Sequence, residues 1–170
     1  MLLHEMDAQE CRDFLKRFGS GRLACARNNQ PYVIPVYFVV DNDMLYSFAT
    51  FGKKIEWMRE NPLVCLEADQ VRAQNNWDSV VVLGRFEELP NAPEFALERN
   101  QAQKVLDQRA LWWQTAYASS QPRTEHKPPE PIFFRIHIDE ITGHKARPDA
   151  IETTFTGENR EERLRTGSQK

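Results

Sequence analysis

Cysteine is scarce in this sequence, and its pattern removes two classes at once. Cys11, Cys25 and Cys65 are far apart and odd in number. No CxxC pair and no Cys/His ligand spacing occurs, which argues against a disulfide scaffold and a zinc site. The three thiols read as buried or half-buried groups in a reducing cytoplasm. An excess of one charge is also missing. With 22 Lys and Arg against 25 Asp and Glu, the net charge is -3, so no general nucleic-acid or membrane-surface partner is implied. A small anionic ligand held by a local pair of cations is compatible with that balance. No run approaches the roughly 18 apolar residues of a membrane span. Met1-Leu2-Leu3 gives way at once to His4 and Glu5, too short and too polar a start for a signal peptide. There is no P-loop, no GxGxxG and no Ser/His/Asp set. His4, His126, His137 and His144 are scattered, none beside a ligand at metal spacing. Basic residues are not interleaved with aromatics along one face, so nucleic-acid binding gains no support.

What is present suits one folded domain. At 170 residues and 41% hydrophobic, the chain can build a single core. Asp7 opens a helix with Glu10 three residues later, as in a capping box. Cys11, Phe14, Leu15 and Phe18 share one face of it, and Gly19 and Gly21 close it. Strands follow: Arg22 to Ala26, a turn at Asn28-Asn29-Gln30, then Tyr32 to Val40, rich in β-branched and aromatic residues. Pro35 cannot donate to a ladder, which places that strand at an edge or on a bulge. Asp41-Asn42-Asp43 turns into a third strand, Met44 to Phe48, completing an antiparallel meander. A helix over Thr50 to Asn61, facing inward through Ile55, Met58 and Trp57, ends at Pro62. Leu63 to Ala68 predicts a fourth strand, Asp69 to Asn76 a polar loop, and Val80 to Phe86 a fifth strand with Gly84 at a bulge or close approach. A helix over Glu94 to Arg109 and a proline-rich loop to Pro131 precede a sixth strand, Ile132 to Ile138. Residues 1–147 form the expected domain. The polar stretch 148–170 is expected to be mobile or to lie on a partner. Six antiparallel strands with interspersed helices predict a mainly β, α+β small barrel.

One segment stands out for chemistry. In Leu45-Tyr46-Ser47-Phe48-Ala49-Thr50-Phe51-Gly52-Lys53-Lys54, a strand ends, glycine follows, and two lysines start a helix. Cations are disfavoured at that end of the macrodipole, and backbone amides there favour an anion. An anionic ligand resolves the conflict; two solvated surface lysines are the plainer alternative. Ser79, just after Trp77, either bonds a ligand or caps a turn. Trp112 and Trp113 are adjacent and point apart, so one can be core and the other a candidate for stacking on a flat ring or packing on a partner subunit; both packing structurally is the plainer alternative.

Several segments together resemble a known family. They are Gly21-Arg22-Leu23-Ala24, Pro31-Tyr32-Val33-Ile34-Pro35-Val36-Tyr37-Phe38, Gly52-Lys53-Lys54-Ile55, Asn61-Pro62-Leu63-Val64-Cys65 and Trp77-Asp78-Ser79-Val80-Val81-Val82-Leu83-Gly84-Arg85. In order and spacing these resemble the pyridoxamine 5'-phosphate oxidase-like proteins that bind flavin mononucleotide (FMN), near the nitroimidazole-resistance branch. Phe134-Arg135-Ile136-His137-Ile138 and Ile141-Thr142-Gly143-His144 resemble that branch too. The resemblance implies a six-stranded Greek-key split barrel and a homodimer with two FMN sites at its interface. It implies that Lys53 and Lys54 hold the phosphate. It runs Tyr32, Val33, Ile34, Pro35, Val36 and Tyr37 along the isoalloxazine ring, largely through backbone groups. Ser47 and Phe48 fall beside the ring and ribityl chain. Ser79 stands where the oxidases place a glutamine, and Trp112 or Trp113 where a late tryptophan crosses the dimer; Trp113 is the expected one. Two departures limit what carries over. Ser47 replaces a histidine of the resistance proteins, and the C-terminal substrate motif of true oxidases is not recognisable. The implied activity is therefore an FMN-dependent oxidoreductase passing hydride or electrons to a small, unnamed acceptor, in the cytoplasm, without nucleic acid, membrane or metal. A non-enzymatic flavin carrier or sensor, or haem or deazaflavin in the same barrel, are the alternatives.

Overall fold

Alternation along the strands decides which way the sheet faces, and most strands alternate cleanly. The computed structural model describes residues 1–107 and 131–149. In chain order these form β1 (Leu2–Met6), α1 (Ala8–Phe18), β2 (Ser20–Arg27), β3 (Gln30–Tyr37), β4 (Val39–Asp41), β5 (Met44–Ala49), α2 (Lys53–Glu60), β6 (Leu63–Ala73) and β7 (Asn76–Leu89). A short turn at Pro93–Phe95, α3 (Ala96–Asp107) and β8 (Ile132–Arg147) complete them. All pairings are antiparallel, in the order β3-β2-β6-β7-β8-β5-β4, with β1 added on β8. The path is not closed by a ladder, but its two ends, β3 and β4, are joined through Phe38. The Phe38 amide donates to Gly19 O at 2.9 Å, which fixes that corner. This is a split barrel.

Among the described residues the strands number eight, not six. The Tyr32 to Val40 strand breaks at the buried Phe38 rather than at Pro35. Pro35 sits within β3, an edge of the path, where an absent amide costs little. Leu2–Met6 supplies a further strand because β8 runs on to Arg147 and offers it a partner. The 69–76 segment is a ladder instead of a loop, reaching Ala73 opposite Asn76. Its polar side chains pair across strands: Arg22 with Glu67 and Asp69, and Arg72 with Asp78. The third helix starts at Ala96 instead of Glu94, after the Pro93 turn.

The core fills the concave face. Leu23, Leu45, Leu66, Val80, Val82, Phe134 and Ile136 come from the sheet; α1 adds Phe14 and Leu15, and α2 adds Ile55 and Met58. α1 is closed as its sequence demands, with the Asp7 carboxylate accepting from the Glu10 amide at 2.8 Å and Gly19 left-handed at φ 62°. A second cluster lies on the opposite face, where α3 covers Tyr46, Leu89 and Phe133 with Ala102, Val105 and Leu106. Gly84 marks the register shift between β7 and β8. A Cβ there would lie 2.3 Å from His137 O, so only glycine permits that approach.

Candidate cofactor site

β3 presents two different faces. Val36 is buried and Tyr32 and Ile34 pack against the core, whereas Val33, Pro35 and Tyr37 face outward and are exposed. At the Tyr32 end β3 meets α2. The Tyr32 and Trp57 rings lie 5.6 Å apart, and Lys53 Nζ sits 4.7 Å from the first ring centre and 4.5 Å from the second. The structure thereby brings Lys53 and the start of β3 together, through a cation held on two aromatic faces.

Lys54 is different. It is half-buried, and among the described residues no carboxylate pairs with it. Burial alone pushes its ammonium pKa down. Glu56, the acid of the first turn, is not available to balance it. Glu56 and Glu60 both accept from Arg27 Nη1, each at 3.0 Å. Gly52 caps α2 without a side-chain hydrogen bond, so the first-turn amides have no side-chain acceptor on them. The indole Nε1 of Trp57, one turn further on, is fully buried with no hydrogen-bond partner among the described residues. The helix start thus gathers two cations and donors without acceptors. That donor set fits the phosphate of a bound cofactor and has no other compensation among the described residues. Trp57 was legible in the sequence only as an inward-facing aromatic; nothing in the spacing marks its unpaired donor.

The other expected residues are spread along the sheet. Ser47 is 3% exposed and donates to Tyr37 O at 2.7 Å, so it ties β5 to the end of β3 inside the barrel. Phe48 points to the opposite face of β5, beneath α3 and beside Phe133. Side chains of Ser47 and Phe48 therefore do not flank one surface. Ser79 donates to Glu67 Oε1 at 3.2 Å. It lies three strands from Tyr37, about 14 Å across the sheet. Lys53 lies at the other end of β3, five residues or about 17 Å from Tyr37. Trp112 and Trp113 lie outside the described residues, as does the 150–170 stretch.

At the Tyr37 end the outward face holds a groove of about 260 Å³, lined by Ser20, Gly21, Arg22, Pro35, Val36, Tyr37 and Asp69. Arg22 Nη1 bonds Glu67 at 3.0 Å and also Asp69. These charged residues carried no role in the sequence, because the strand pairing that assembles them joins positions more than 40 apart. No group of three potential metal ligands occurs among the described residues. No described helix is long and apolar enough to cross a membrane.

A family model described as pyridoxamine 5'-phosphate oxidase matches residues 7–145. An uncharacterized protein of Rhizobium meliloti (strain 1021) is 35% identical over 146 residues, 86% of this chain and 97% of that protein. The crystal structure of an FAD-binding protein from Mesorhizobium loti is 39% identical, covers 87% of this chain and 99% of its own, and has a TM-score of 0.69. A structure assigned to 5-nitroimidazole antibiotic resistance in Bacteroides thetaiotaomicron is 18% identical and shares the fold alone, at a TM-score of 0.61 over 85% of this chain and 89% of its own. The chain belongs to the pyridoxamine 5'-phosphate oxidase-like family of split-barrel proteins.

Proposed function

We propose that this protein is a flavin-dependent oxidoreductase that holds the FMN moiety with its phosphate at Gly52-Lys53-Lys54 and its ring along β3. One observation carries the reading: the half-buried ammonium of Lys54, without a counter-charge among the described residues, at the uncapped start of α2. A family member 39% identical is described as FAD-binding, which supports a flavin in this fold. When bound, the flavin supplies the hydride or electron transfer. The chain's own residues bind and orient it. Lys54 and the first-turn amides neutralise the phosphate. Lys53 is aimed by Tyr32 and Trp57. The backbone of β3 offers the ring an edge that no other described strand pairs with. The outward row Val33-Ala24-Cys65-Leu83 supports a homodimer with a flavin site in each half, and three free thiols fit a cytoplasmic setting.

The test begins with the visible spectrum of the purified protein after addition of FMN. Flavin bands support the reading, and a Soret band refutes it in favour of haem. Each charge-assisted contact to phosphate is worth roughly 1.5–3 kcal/mol. Lys53→Ala with Lys54→Ala is therefore expected to weaken FMN binding by at least about tenfold; unchanged affinity sinks the phosphate assignment. Anaerobic NADH or NADPH bleaches the bound flavin of an enzyme, and silence with both returns the protein to a carrier or sensor.

A further inference from the structure

We propose that the groove at the Tyr37 end of β3 is the electron-donor subsite, which takes a dihydronicotinamide and recognises its carboxamide through Arg22 and Asp69. The proposal rests on the flavin reading above and deepens it, because that reading leaves the seat of the donor open. Three observations on this chain carry it.

The first is where the groove lies. Arg22 stands opposite Pro35 and Ser20 opposite Tyr37, so the groove opens between β2 and the last three residues of β3, with Asp69 of β6 also lining it. Pro35, Val36 and Tyr37 belong to the run along which the flavin reading lays the ring. A molecule in the groove therefore meets that ring at the end away from Lys53 and Lys54. The volume of about 260 Å³ is just under the roughly 300 Å³ lower end of small-molecule sites. It admits one substituted aromatic ring and leaves the rest of a dinucleotide outside.

The second is an unfilled donor–acceptor pair. The Arg22 guanidinium commits only Nη1 to its carboxylates, donating to Glu67 Oε2 at 3.0 Å and to Asp69 Oδ1. Its Nε and Nη2 make no hydrogen bond among the described residues, although a guanidinium carries five donors in a fixed fork. Glu67 is filled, because Ser79 donates to its other oxygen at 3.2 Å. Asp69 is not: its Oδ2 accepts nothing among the described residues. Donors and an acceptor thus stand side by side, held by one ion pair. A carboxamide presents their complement, a carbonyl oxygen for Arg22 and an N–H for Asp69. A carboxylate offers acceptors only and meets Asp69 with like charge.

The third is charge. One guanidinium against two carboxylates leaves the Arg22, Glu67 and Asp69 trio with a single net negative charge. When a dihydronicotinamide gives up its hydride, its C4–H bond breaks and the hydrogen leaves with both electrons for the flavin. A proton from solvent balances the hydride there, and the nicotinamide left in the groove is a pyridinium cation. A negative groove stabilises that positive charge as it develops. This separates a nicotinamide from a carboxamide of any other kind.

NMR titration of the full-length, flavin-free protein tests the groove with three probes: nicotinamide, nicotinate and the cation 1-methylnicotinamide. Wild type is expected to bind nicotinamide about tenfold more tightly than nicotinate, and 1-methylnicotinamide more tightly still. Asp69→Asn keeps the shape and removes the charge, so the gap to nicotinate should shrink to about twofold and the advantage of the cation should vanish. Arg22→Met, a second variant, should weaken nicotinamide by about fivefold through loss of the fork. Both side chains reach solvent, and an unchanged melting curve confirms that the variants fold. Nicotinamide that fails to bind wild type, or binds no better than nicotinate, overturns the proposal, as does a gap that survives Asp69→Asn. Repeating the titration on FMN-saturated protein separates the groove from the flavin reading. Nicotinamide that still binds sustains the donor subsite, and nicotinamide displaced by FMN overturns it, because the groove is then the flavin's own. If FMN does not bind, the flavin reading fails by itself, and the order of the three probes decides the groove alone: an order that depends on Asp69 sustains a nicotinamide site, and one indifferent to Asp69 ends it.

Discussion

Lys53 and Lys54 are neighbours in sequence and differ in almost every physical respect. Lys53 is exposed and satisfied by the Tyr32 and Trp57 rings. Lys54 is half-buried and without a carboxylate among the described residues. Desolvation costs more when no partner offsets it, so an arriving phosphate gains most from Lys54. The two single variants should therefore separate. Lys54→Met is expected to weaken FMN binding by about tenfold while leaving or raising the melting temperature, because an uncompensated charge leaves the interior. Lys53→Met should weaken binding less, by about two- to threefold, with a lower melting temperature, because the cation–π contacts of about 0.5–1 kcal/mol are lost. Equal effects from the two would refute this division. The sequence made the pair visible, through two cations where the helix macrodipole opposes them. It could not rank them, because burial and the loss of Glu56 to Arg27 depend on β2 packing against α2.

At the scale of elements, local signals were legible wherever the chain decides its own conformation. The Asp7 capping box, the left-handed Asn28, Asn29 and Asn42, and the bulge at Gly84 all stand as their residues demand. Elements set by a distant partner were not legible. β1 forms only because β8 is 16 residues long, and the tip of the β6–β7 hairpin holds only because its polar side chains find partners. Asp78 is the clearest case. Burial by itself raises its carboxyl pKa, but Arg72 and Arg147 outweigh that and hold it below the ordinary value. A carboxylate depressed in the folded state contributes stability that is present above its unfolded pKa and is lost as pH falls through the folded one. With an unfolded reference near 3.9, the hairpin end should loosen as pH drops below about 4. Hydrogen exchange of the Gln70–Trp77 amides at pH 7 and pH 3 measures this. Asp78→Asn should remove most of the pH dependence; a variant as acid-sensitive as wild type would place the effect elsewhere, with the Glu87–Arg135 pair the next candidate.

At the scale of the whole molecule, the outward face of the barrel is the surface that the proposed dimer would use. The register places Val33 beside Ala24, Ala24 beside Cys65, and Cys65 beside Leu83 in one row across four strands. Val33 and Leu83 are 56% and 45% exposed, and Leu63, two residues from Cys65 on the same face of β6, is 63% exposed. Single exposed apolar residues need no explanation, but a row of them crossing a sheet marks a contact surface. A second copy is the occupant that the family resemblance implies. A two-fold axis would bring each row onto its own image, so that one introduced charge is met by its equal. Leu83→Glu is therefore expected to raise the dimer dissociation constant by at least about 30-fold, in line with a central contact worth about 2 kcal/mol. Sedimentation equilibrium should give wild type twice the 19.9 kDa chain mass and the variant a mass falling toward one chain on dilution. Cys65 provides an independent readout. Its thiol is half-buried, and burial already raises its pKa; in a dimer it should resist a thiol reagent and in the Leu83→Glu monomer react faster. A wild type that sediments as one chain, with Cys65 as reactive as in the variant, would free this face for some other partner and detach the flavin site from any subunit boundary.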